Sequence, residues 1–594
     1  MIDPGDGVGE LKHRIDVAMG DAPADLVLRG ADVVNVYTGR TVRADIAIAG
    51  RRIVAVRPDL EARGARVIDC RGLIAGPGFV EPHMHLETTF VTPRQFARAI
   101  VPLGTTTLFA DATDSSYVKG TAAVRALAAA TRELPMRVFL AAPSYSAYLP
   151  GLQTVGGDVD LAAVEEMLAW SETASVGEVV AARVLAKDEE YLAKTLAARR
   201  ARKRLNGHSM NDRPDFLDAF VAAGVIDDHT AASGAGLEER LARGVTLFLV
   251  EAPGRRELAD MLKYVVEKRL PTRSLCLSTD NTSILEVAQD GLGYLDHAVR
   301  LAVGAGIDPV EAIQMASLNA SVYYGKDGDI GSVTPGRLAD IQLWDDLETF
   351  RPRLVFFGGE LVAEDGVMTK ELPPSAFPGW YRDTVRPRLD SIPERMLLEA
   401  GAGRGEVRVR VIHLPNPQAQ ATNEERIATL SVRHGRVWPS PEEDIVCFSV
   451  VERYRGTGNI GHGFLSGSGL QRGALATSLS ISDSNIVVMG CDPVSMHTAV
   501  KALADMHGGF VVALDDRVLA SIAAPVGGQM SDEPFEDVVA GFRGLSEAAS
   551  RLGCRLQSPF LTMASTVLMS VPALGLSDCG YIDARTGRAV PTLV

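Results

Sequence analysis

The chain has 594 residues, of which 46% are hydrophobic and 23% are charged, and its formal net charge at pH 7 is −15. This length predicts about three or four structural units, and the composition is typical of a globular protein with a large core. The acidic balance argues against a general affinity for nucleic acid or for anionic membranes, because both carry negative charge.

The cysteines and the start of the chain indicate the compartment. Six cysteines lie far apart and form no CxxC pair, which excludes a zinc ribbon and a thioredoxin motif. The first residues, MIDPGDGVGELKHRID, lack the apolar core of a signal peptide, and no uninterrupted apolar stretch of about 18 residues occurs. We therefore expect reduced thiols, no membrane span and a cytoplasmic location.

The first 76 residues change from a short arm to a β pattern. Residues 1–24 read as an N-terminal arm with some helical pattern. Residues 25–76 alternate between apolar and polar positions in three segments, DLVLRGADVVNV, ADIAIAGRRIVAV and ARVIDCRGLIAGPG. Alternation broken by Gly, Asp and Arg is typical of short strands joined by turns, so a small β domain is predicted here.

Residues 77–330 repeat a strand followed by a helix. GFVEPHMH reads as a strand, and TPRQFARAIVPLG as a helix with a Thr-Pro start and a Gly stop. TTTLFAD, MRVFLAAPS, VGEVVAA, GVTLFLVEA and SLCLSTD continue the series of strands. About eight such units in roughly 250 residues predict a (β/α)₈ TIM barrel.

The β pattern returns after the barrel. Residues 331–372 contain GSVTPGRLADIQLWDDL and PRLVFFGGELVAEDG, so the small β domain is predicted to be discontinuous, built from 25–76 and 331–372. Residues 373–394 are proline-rich and read as a linker. Residues 395–594 alternate strands such as DIVCFSV and NIVVMG with short helices, which predicts a C-terminal α/β domain.

The segment FVEPHMHLE at 79–87 carries the strongest chemical signal. His83 and His85 are two residues apart at the end of an apolar strand. Because side chains alternate along a strand, both imidazoles lie on one face, where they can ligate one divalent ion. A surface turn rich in histidine is the structural alternative for this motif alone.

Four further residues each close a predicted strand and are candidate metal ligands: Glu178, His208, His229 and Asp280. In a barrel, the strand ends converge on one rim, where catalytic groups collect. Four histidines and two carboxylates suit two divalent ions such as Zn²⁺, Fe²⁺ or Mn²⁺. Each residue alone also has a structural explanation, such as Asp280 capping the helix that follows it.

The order HxH, carboxylate, His, His, Asp resembles the amidohydrolase superfamily, and more narrowly the chain resembles bacterial adenine deaminases. Similar blocks extend over nearly the whole chain, including GLIAGPGFVEPHMHLETTFVTPRQFARAIVPLGTTTLFAD, LSTDN, GFLSGSGLQRGALATSLS and GGFVVALDDRVLASIAAPVGGQMSDEP. The resemblance implies hydrolysis of a ring amine with release of ammonia. It also implies that Glu178 bridges two metals and that Asp280 binds one metal and shuttles the proton.

The chain departs from the family pattern around these ligands. Residues 111–114 read Asp-Ala-Thr-Asp instead of Asp-Pro-His-Glu, and 208–212 read His-Ser-Met-Asn-Asp instead of His-Ala-x-Gly-Leu. Thr230 replaces a Glu, and 480–485 lacks both histidines of a His-Asp-Ser-His-Asn run. The resemblance implies adenine as the substrate, but specificity for polar substrates depends on such hydrogen-bonding groups, so we expect either adenine or a related amino-substituted heterocycle.

Six residues near predicted strand ends are candidate substrate contacts: Glu87, Asp114, Tyr145, Asn211, Asp228 and Glu251. We expect a small heterocyclic substrate as partner, no nucleic acid or membrane, and a homodimer or higher homo-oligomer. The basic run RRARKR at 199–204 is interpreted as a solvated helical face.

Two other functions compete with an aminohydrolase. An amidohydrolase that opens a cyclic amide would use the same two metals, and ammonia release from a panel of substrates separates the two. A non-catalytic scaffold that has kept the barrel belongs to another class, and the retention of all six candidate ligands argues against it.

Overall fold

The computed structural model describes residues 7–288, 291–375, 377–401, 405–416, 423–569 and 573–594. The N-terminal arm contains helix α1 (Val8–Met19), which ends at Gly20 in the left-handed conformation, with a φ of 86°. The Gly20 N–H donates to the carbonyls of Asp16 and Val17, a common way for glycine to end a helix. In the described parts of the chain, no helix combines the length and apolar character needed to cross a bilayer.

Strands β1 to β5, which follow α1, form one part of a nine-stranded sheet. β1 pairs antiparallel with β2, which pairs antiparallel with β3, and β1 also pairs in parallel with β4 and β5. Apolar residues on one face, among them Val33, Ile46 and Ile53, are buried in a common core. The strands are β1 (Leu26–Asn35), β2 (Arg40–Ala49), β3 (Arg52–Arg57), β4 (Arg66–Asp69) and β5 (Ile74–Pro77).

Eight parallel strands form the barrel that the sequence predicts: β6 (Phe79–His85), β7 (Thr105–Asp111), β8 (Arg137–Pro143), β9 (Thr173–Val180), β10 (Arg204–His208), β11 (Asp227–Asp228), β12 (Thr246–Val250) and β13 (Leu275–Ser278). Strands β6 to β10 form one ladder and β11 to β13 another. The end of β6 meets the segment after β13, where Asp280 N donates to His83 O (3.2 Å) and His85 N donates to Asp280 O (3.3 Å).

Helices connect successive strands and begin at residues suited to that position. Asp160 and Asp188 cap two of them, because their carboxylates accept the N–H groups of Ala163 and Tyr191. The helices are α2 (Pro93–Ile100), α3 (Thr113–Thr131), α4 (Leu161–Leu168), α5 (Ala181–Leu185), α6 (Glu189–Arg200), α7 (Pro214–Ala222), α8 (Gly234–Leu241), α9 (Leu258–Lys268), α10 (Ile284–Ala288), α11 (Leu295–Gly304), α12 (Pro309–Met315) and α13 (Leu318–Tyr323).

Strands from beyond the barrel complete the first sheet. They are β14 (Ile341–Trp344), β15 (Pro352–Phe357), β16 (Glu360–Glu364) and β17 (Val367–Met368). Because β14 pairs antiparallel with β5, the order becomes β17-β16-β15-β14-β5-β1-β2-β3, with β4 beside β1. A Cβ on Gly76 would lie 2.4 Å from the Trp344 ring, so only glycine lets this buried indole pack across β5.

The C-terminal part is a mixed α/β structure, as predicted. Its nine-stranded sheet has the order β20-β19-β18-β22-β21-β24-β23-β25-β26, and β27 to β29 form a smaller one. The elements are β18 (Gly405–His413), β19 (Glu424–Arg433), β20 (Arg436–Val437), β21 (Ile445–Val451), β22 (Ile460–Ser466), β23 (Ala474–Thr477), β24 (Ile486–Gly490), α14 (Pro493–Asp505), β25 (Gly509–Leu514), β26 (Arg517–Ala523), α15 (Phe535–Arg551), α16 (Pro559–Thr566), β27 (Leu574–Ser577), β28 (Gly580–Asp583) and β29 (Arg588–Ala589).

This C-terminal part packs over the loops at the carboxyl ends of the first barrel strands. After β6, Ser531 N donates to Phe90 O (2.8 Å). After β7, Gln529 Nε2 donates to Asp114 O (2.8 Å), and after β8, Gln153 Nε2 donates to Ser482 O (3.1 Å). The rim on which the candidate ligands lie is therefore covered from one side.

Asp483 carries a buried carboxyl group in the C-terminal part, which packs over the barrel rim. Its Oδ1 accepts hydrogen bonds from Asn485 N (2.9 Å) and Ser480 Oγ (3.1 Å), whereas its Oδ2 is buried without a donor. Burial raises the pKa of this carboxyl to about 7. Since one oxygen lacks a partner, the protonated acid is the form that suits this position.

A buried ion pair joins the barrel to the first sheet. Arg137, at the start of β8, donates through Nη1 to Asp340 Oδ2 at 2.7 Å, and the two side chains are only 9% and 5% exposed. The other Asp340 oxygen accepts the N–H of Gly358 (2.9 Å). Removing one partner of such a pair leaves a charge buried without compensation.

We expect Arg137→Leu to destabilise the protein by about 3 kcal/mol, because Asp340 would remain buried and charged. The matched change Arg132→Leu breaks an ion pair with Glu172 in which Arg132 is 58% exposed, and it should have little effect. Adding Asp340→Asn to Arg137→Leu should restore part of the loss. Melting temperatures measure the three variants, and equal effects of Arg137→Leu and Arg132→Leu would contradict the assignment.

The raised pKa of Asp483 predicts a pH-dependent stability. The native state keeps this proton up to about pH 7, whereas a carboxyl with the ordinary value of 3.8 loses it earlier. The protonated Asp483 therefore makes its full contribution to the free energy of unfolding at low pH. That contribution is lost as the pH rises towards 7, on the order of 1 kcal/mol per pH unit.

The variant Asp483→Asn removes the titration, so its stability relative to the unmodified chain should increase as the pH rises. Melting temperatures measured across this range test the slope. Asp260→Asn, on an 84% exposed side chain of α9, should leave the pH dependence unchanged. A parallel pH profile for Asp483→Asn and the unmodified chain would rule out the interpretation.

Candidate metal centre

The six candidate ligands lie together at the carboxyl ends of the barrel strands. His83 and His85 lie on β6, Glu178 on β9, and His208 is the last residue of β10. His229 directly follows β11, and Asp280 is two residues beyond β13. Five strands far apart in sequence thus place these side chains on one rim, as the barrel geometry predicts.

Glu178 is the centre of the cluster. Its Oε1 lies 3.4 Å from Nε2 of each of His83, His85 and His229, and its Oε2 lies 3.7 Å from Nδ1 of His208. Asp280 Oδ1 lies 3.7 Å from Nε2 of both His83 and His85. The rings of His83 and His229 stack with their centroids 4.2 Å apart.

The atoms of this cluster have the chemistry of a cation site. Candidate ligand atoms of His83, Glu178, His229 and Asp280 all lie within 4.8 Å of one another. Nε2 of His83 and Nδ1 of His208 are buried without a hydrogen-bond partner. Since buried polar atoms are normally paired, and imidazole with carboxylate is a preferred ligand set, the cluster fits a divalent metal ion.

The electrostatic environment favours the ligand forms of Glu178 and His83. Against the effect of burial, hydrogen bonding to the Glu178 carboxylate raises the pKa of His229 to about 9, so a metal ion would displace a proton there. Burial alone would raise the pKa of Glu178, but the His208, His229 and His83 imidazoles hold it well below its usual range. Burial and the adjacent His229 lower the pKa of His83, so that imidazole is neutral. A charged carboxylate beside a neutral imidazole can donate lone pairs to a cation.

A second set of acidic side chains surrounds the cluster. Asp114 Oδ2 lies 3.0 Å from Nδ1 of His85, where it orients that ring. Asp111 Oδ2 lies so near Gly177 that a Cβ there would be 2.6 Å away, so only glycine fits beside Glu178. Oxygens of Asp111, Asp114 and Glu87 are buried without donors. Burial raises the pKa of all three carboxyls, so each one is suited either to its protonated form or to a nearby cation.

Glu81 is a member of this site that the sequence analysis did not select. It accepts hydrogen bonds from His83 N (3.2 Å), Ser278 Oγ (2.7 Å) and Thr279 Oγ1 (2.9 Å), and so ties β6 to the end of β13. Burial raises the pKa of this carboxyl to about 7. Its position two residues before His83 in FVEPHMH, on the same strand face, was the available signal.

Three of the predicted substrate contacts lie beside the cluster. Glu87 and Asp114 are buried, and burial together with the Asp114 charge raises the pKa of Glu87 to about 7. Burial and the neighbouring Tyr117 raise the pKa of Tyr145, and the negative charge of Glu178 raises it further. These side chains face the same side of the barrel rim as the candidate ligands.

Asp228 is engaged in a buried ion pair. Its Oδ2 accepts from Arg240 Nε (2.5 Å) and from the Ser209 hydroxyl, and its Oδ1 accepts from Thr230 Oγ1 (2.9 Å). Arg240 is fully buried and also donates to Asp212 (2.6 Å). The residues that depart from the family pattern around His208 and His229 thus belong to one polar network.

The other two predicted contacts are also held by neighbours. Asn211 Oδ1 accepts the backbone N–H of Arg213 (2.9 Å) in the loop after β10. Glu251 Oε1 accepts from Arg256 Nη1 (2.6 Å) after β12. Their roles in substrate binding stay predictions.

Residues from beyond the barrel reach this site without any signal in the sequence. Tyr381, in the proline-rich segment, donates its hydroxyl to Ser115 Oγ (2.9 Å), which in turn donates to Glu87. Gln529 contacts Asp114 O through its Nε2. These contacts join parts of the chain more than 250 residues apart, so no local sequence pattern predicts them.

Comparisons with known proteins agree with this geometry. The amidohydrolase family matches residues 74–362, and the adenine deaminase C-terminal domain matches 420–588. The adenine deaminase of Desulforamulus reducens is 36% identical over 588 residues, which cover 99% of this chain and 99% of that protein. The adenine deaminase of Nitratidesulfovibrio vulgaris is 36% identical over 580 residues, covering 97% and 98%.

Among solved structures, a β-aspartyl dipeptidase from Fervidobacterium islandicum AW-1 aligns with 59% of this chain and 99% of that chain, with a TM-score of 0.45 and 15% identity. The full-length relatives carry the assignment, because their similarity includes the barrel and the C-terminal part alike. The chain therefore belongs to the adenine deaminase family of the amidohydrolases, and it is a hydrolase that acts on carbon–nitrogen bonds.

Proposed function

We propose that this protein deaminates adenine, or a related amino-substituted heterocycle, by hydrolysis: water replaces the ring amino group, which leaves as ammonia. The convergence of four imidazoles and Asp280 on Glu178 is the observation that supports it most directly. Relatives named adenine deaminase along the whole chain support the substrate class.

The cofactor in this proposal is a pair of divalent ions, Mn²⁺, Fe²⁺ or Zn²⁺. The residues that would hold these ions are the six that converge around the Glu178 carboxylate and include it: His83, His85, Glu178, His208, His229 and Asp280. When bound, such ions lower the pKa of a coordinated water from 15.7 towards about 7. This donor set is compatible with all three metals.

Asp280 is the proposed proton carrier. Asn281 Nδ2 donates to its Oδ1 (2.9 Å), and the residue holds a left-handed backbone with a φ of 51° at the point where the barrel closes. From there its carboxylate can accept the proton that the attacking water loses and return it to the leaving nitrogen. Glu178 stays charged throughout and holds the nucleophile in position.

Glu87, Asp114 and Tyr145 are the proposed contacts to the heterocycle. A buried acid with a raised pKa can remain protonated at neutral pH and donate a hydrogen bond to a ring nitrogen. Glu87 has this property, because burial and Asp114 raise its pKa to about 7. Asn211, Asp228 and Glu251 complete the predicted set, although neighbouring groups already engage their side chains.

The location and assembly belong to the same proposal. All six cysteines are free, which suits a reducing cytoplasm. A homodimer or higher homo-oligomer is the expected assembly, as for many large barrel enzymes.

Ammonia release from a panel of aminopurines, pterins and cyclic amides tests the function. We expect release from adenine or a close amino-heterocycle by the metal-loaded protein, and none after chelation of the metal. Ring opening of a cyclic amide without ammonia from any aminopurine would replace this proposal with the second amidohydrolase reaction. No turnover by a protein that also lacks bound metal would favour the non-catalytic scaffold.

Two substitutions test the assigned roles. We expect Asp280→Asn to lower turnover about a thousandfold, because an amide cannot carry the proton. We expect His83→Ala to lower the metal content, measured by elemental analysis, together with turnover. Asp215→Asn, on a 69% exposed side chain of α7, is the matched control and should leave both unchanged. Normal turnover by Asp280→Asn, with its fold intact by circular dichroism, would refute the proton-carrier role.

A further inference from the structure

A basic cavity lies at the opposite end of the barrel from the candidate metal centre. It has a volume of about 680 Å³ and is formed where strands begin: Ala174 near the start of β9, Arg204 at the start of β10, and Ile226 just before β11. Ala174 is four residues from Glu178 on β9, or about 13 Å along an extended strand. The cavity is therefore separate from the metal centre.

Five cationic side chains line this cavity, and within the described chain none of its lining residues is acidic. They are Arg199, Arg202, Lys203, Arg204 and Lys326. The first four come from the basic run 199–204, which extends from the end of α6 to the start of β10, and Lys326 follows α13. In a chain with a formal net charge of −15, such a concentration of positive charge is unexpected.

The contacts of these cations position them without neutralising them. Lys203 Nζ donates to the carbonyl of Thr173, and Arg204 Nε donates to the carbonyl of Tyr323. Lys326 Nζ lies 5.0 Å from the centre of the Phe139 ring. Carbonyls and ring faces are neutral, so the charges of these residues remain available to an anion.

The two arginines at the cavity edge, Arg199 and Arg202, are more exposed than the other lining cations. Both are exposed, and across the described residues no carboxylate forms an ion pair with either of them. Burial lowers the pKa of Lys203, and the positive charge of the nearby Lys326 lowers it further. An anion in the cavity would relieve the repulsion between these two lysines and gain charge-assisted hydrogen bonds.

We propose that this cavity binds a phosphate-bearing small molecule. Guanidinium groups match phosphate oxygens in pairs, and several cations around a concave site concentrate a positive potential there. The cavity is larger than one phosphate requires and lies in the size range of small-molecule sites. Leu205, Ile226 and Tyr324 provide apolar wall for the organic part of a phosphate ester.

A long polyanion is a poorer fit for this site. Nucleic acid and anionic membranes extend well beyond a cavity of about 680 Å³, and they would meet the surface of a strongly acidic protein. A small ligand inside the cavity contacts the five cations and avoids the remaining charge.

Isothermal titration calorimetry on the full-length, metal-loaded protein tests the proposal with three probes: inorganic phosphate, pyrophosphate and UMP. UMP carries a phosphate ester but no purine, so it should not compete at the metal centre. We expect saturable binding of one molecule per chain, tighter for UMP than for inorganic phosphate if an ester is the ligand. A higher affinity for inorganic phosphate than for UMP would assign the site to free phosphate and overturn the ester.

The double variant Arg199→Gln/Arg202→Gln should weaken binding by roughly tenfold or more, as expected for losing charge-assisted hydrogen bonds. Arg200→Gln/Arg273→Gln is the matched control, because it removes the same charge from exposed residues that do not line the cavity. It should leave the affinity nearly unchanged, and any chelation of metal by pyrophosphate would be common to both variants.

Three results would overturn the proposal. The first is no saturable binding of any probe at millimolar concentration. The second is an equal loss of affinity in the double variant and its control. The third is binding of a duplex oligonucleotide or of phosphatidylserine vesicles through Arg199 and Arg202 without binding of the small probes.

Discussion

The structure around the barrel rim depends on burying the carboxylate of Glu178 among four imidazoles. An isolated buried carboxylate costs several kcal/mol, and imidazole nitrogens at 3.4 to 3.7 Å offset that cost and hold the pKa of Glu178 well below its usual range. Asp111, Asp114 and Glu87 place further buried carboxyl oxygens without donors in the same region. This arrangement of imidazoles and carboxylates fits a divalent metal site.

The closure of the barrel connects this chemistry to the fold. Asp280 exchanges backbone hydrogen bonds with His83 and His85 at the junction of β6 and the end of β13. Glu81 strengthens the junction through Ser278 and Thr279. The proposed proton carrier and two candidate metal ligands are thus fixed to each other by main-chain contacts. At the other end of the barrel strands, the cavity is lined by positively charged side chains, whereas the rim around Glu178 carries carboxylates.

The departures from the family pattern acquire a structural explanation around Arg240. Ser209, Asp212 and Thr230 stand where the family carries other residues, and all three join the hydrogen-bond network of Arg240 and Asp228. A fully buried arginine needs such partners, because its charge cannot be left without compensation. The altered motif residues therefore support a neighbour of His208 and His229 and leave the ligands themselves in place.

The sequence by itself determined the barrel, the C-terminal α/β part and the six candidate ligands, because strand periodicity and the rule that strand ends share one rim are local or general properties. The tertiary structure decided the rest. Tyr381 and Gln529 reach the site from distant segments, and the Arg240 network engages Asp228. The run 199–204, which reads as a solvated face, lines a cavity only because α13 brings Lys326 beside it. Such contacts depend on how elements distant in sequence pack against each other, and the periodicity of the sequence does not predict that packing.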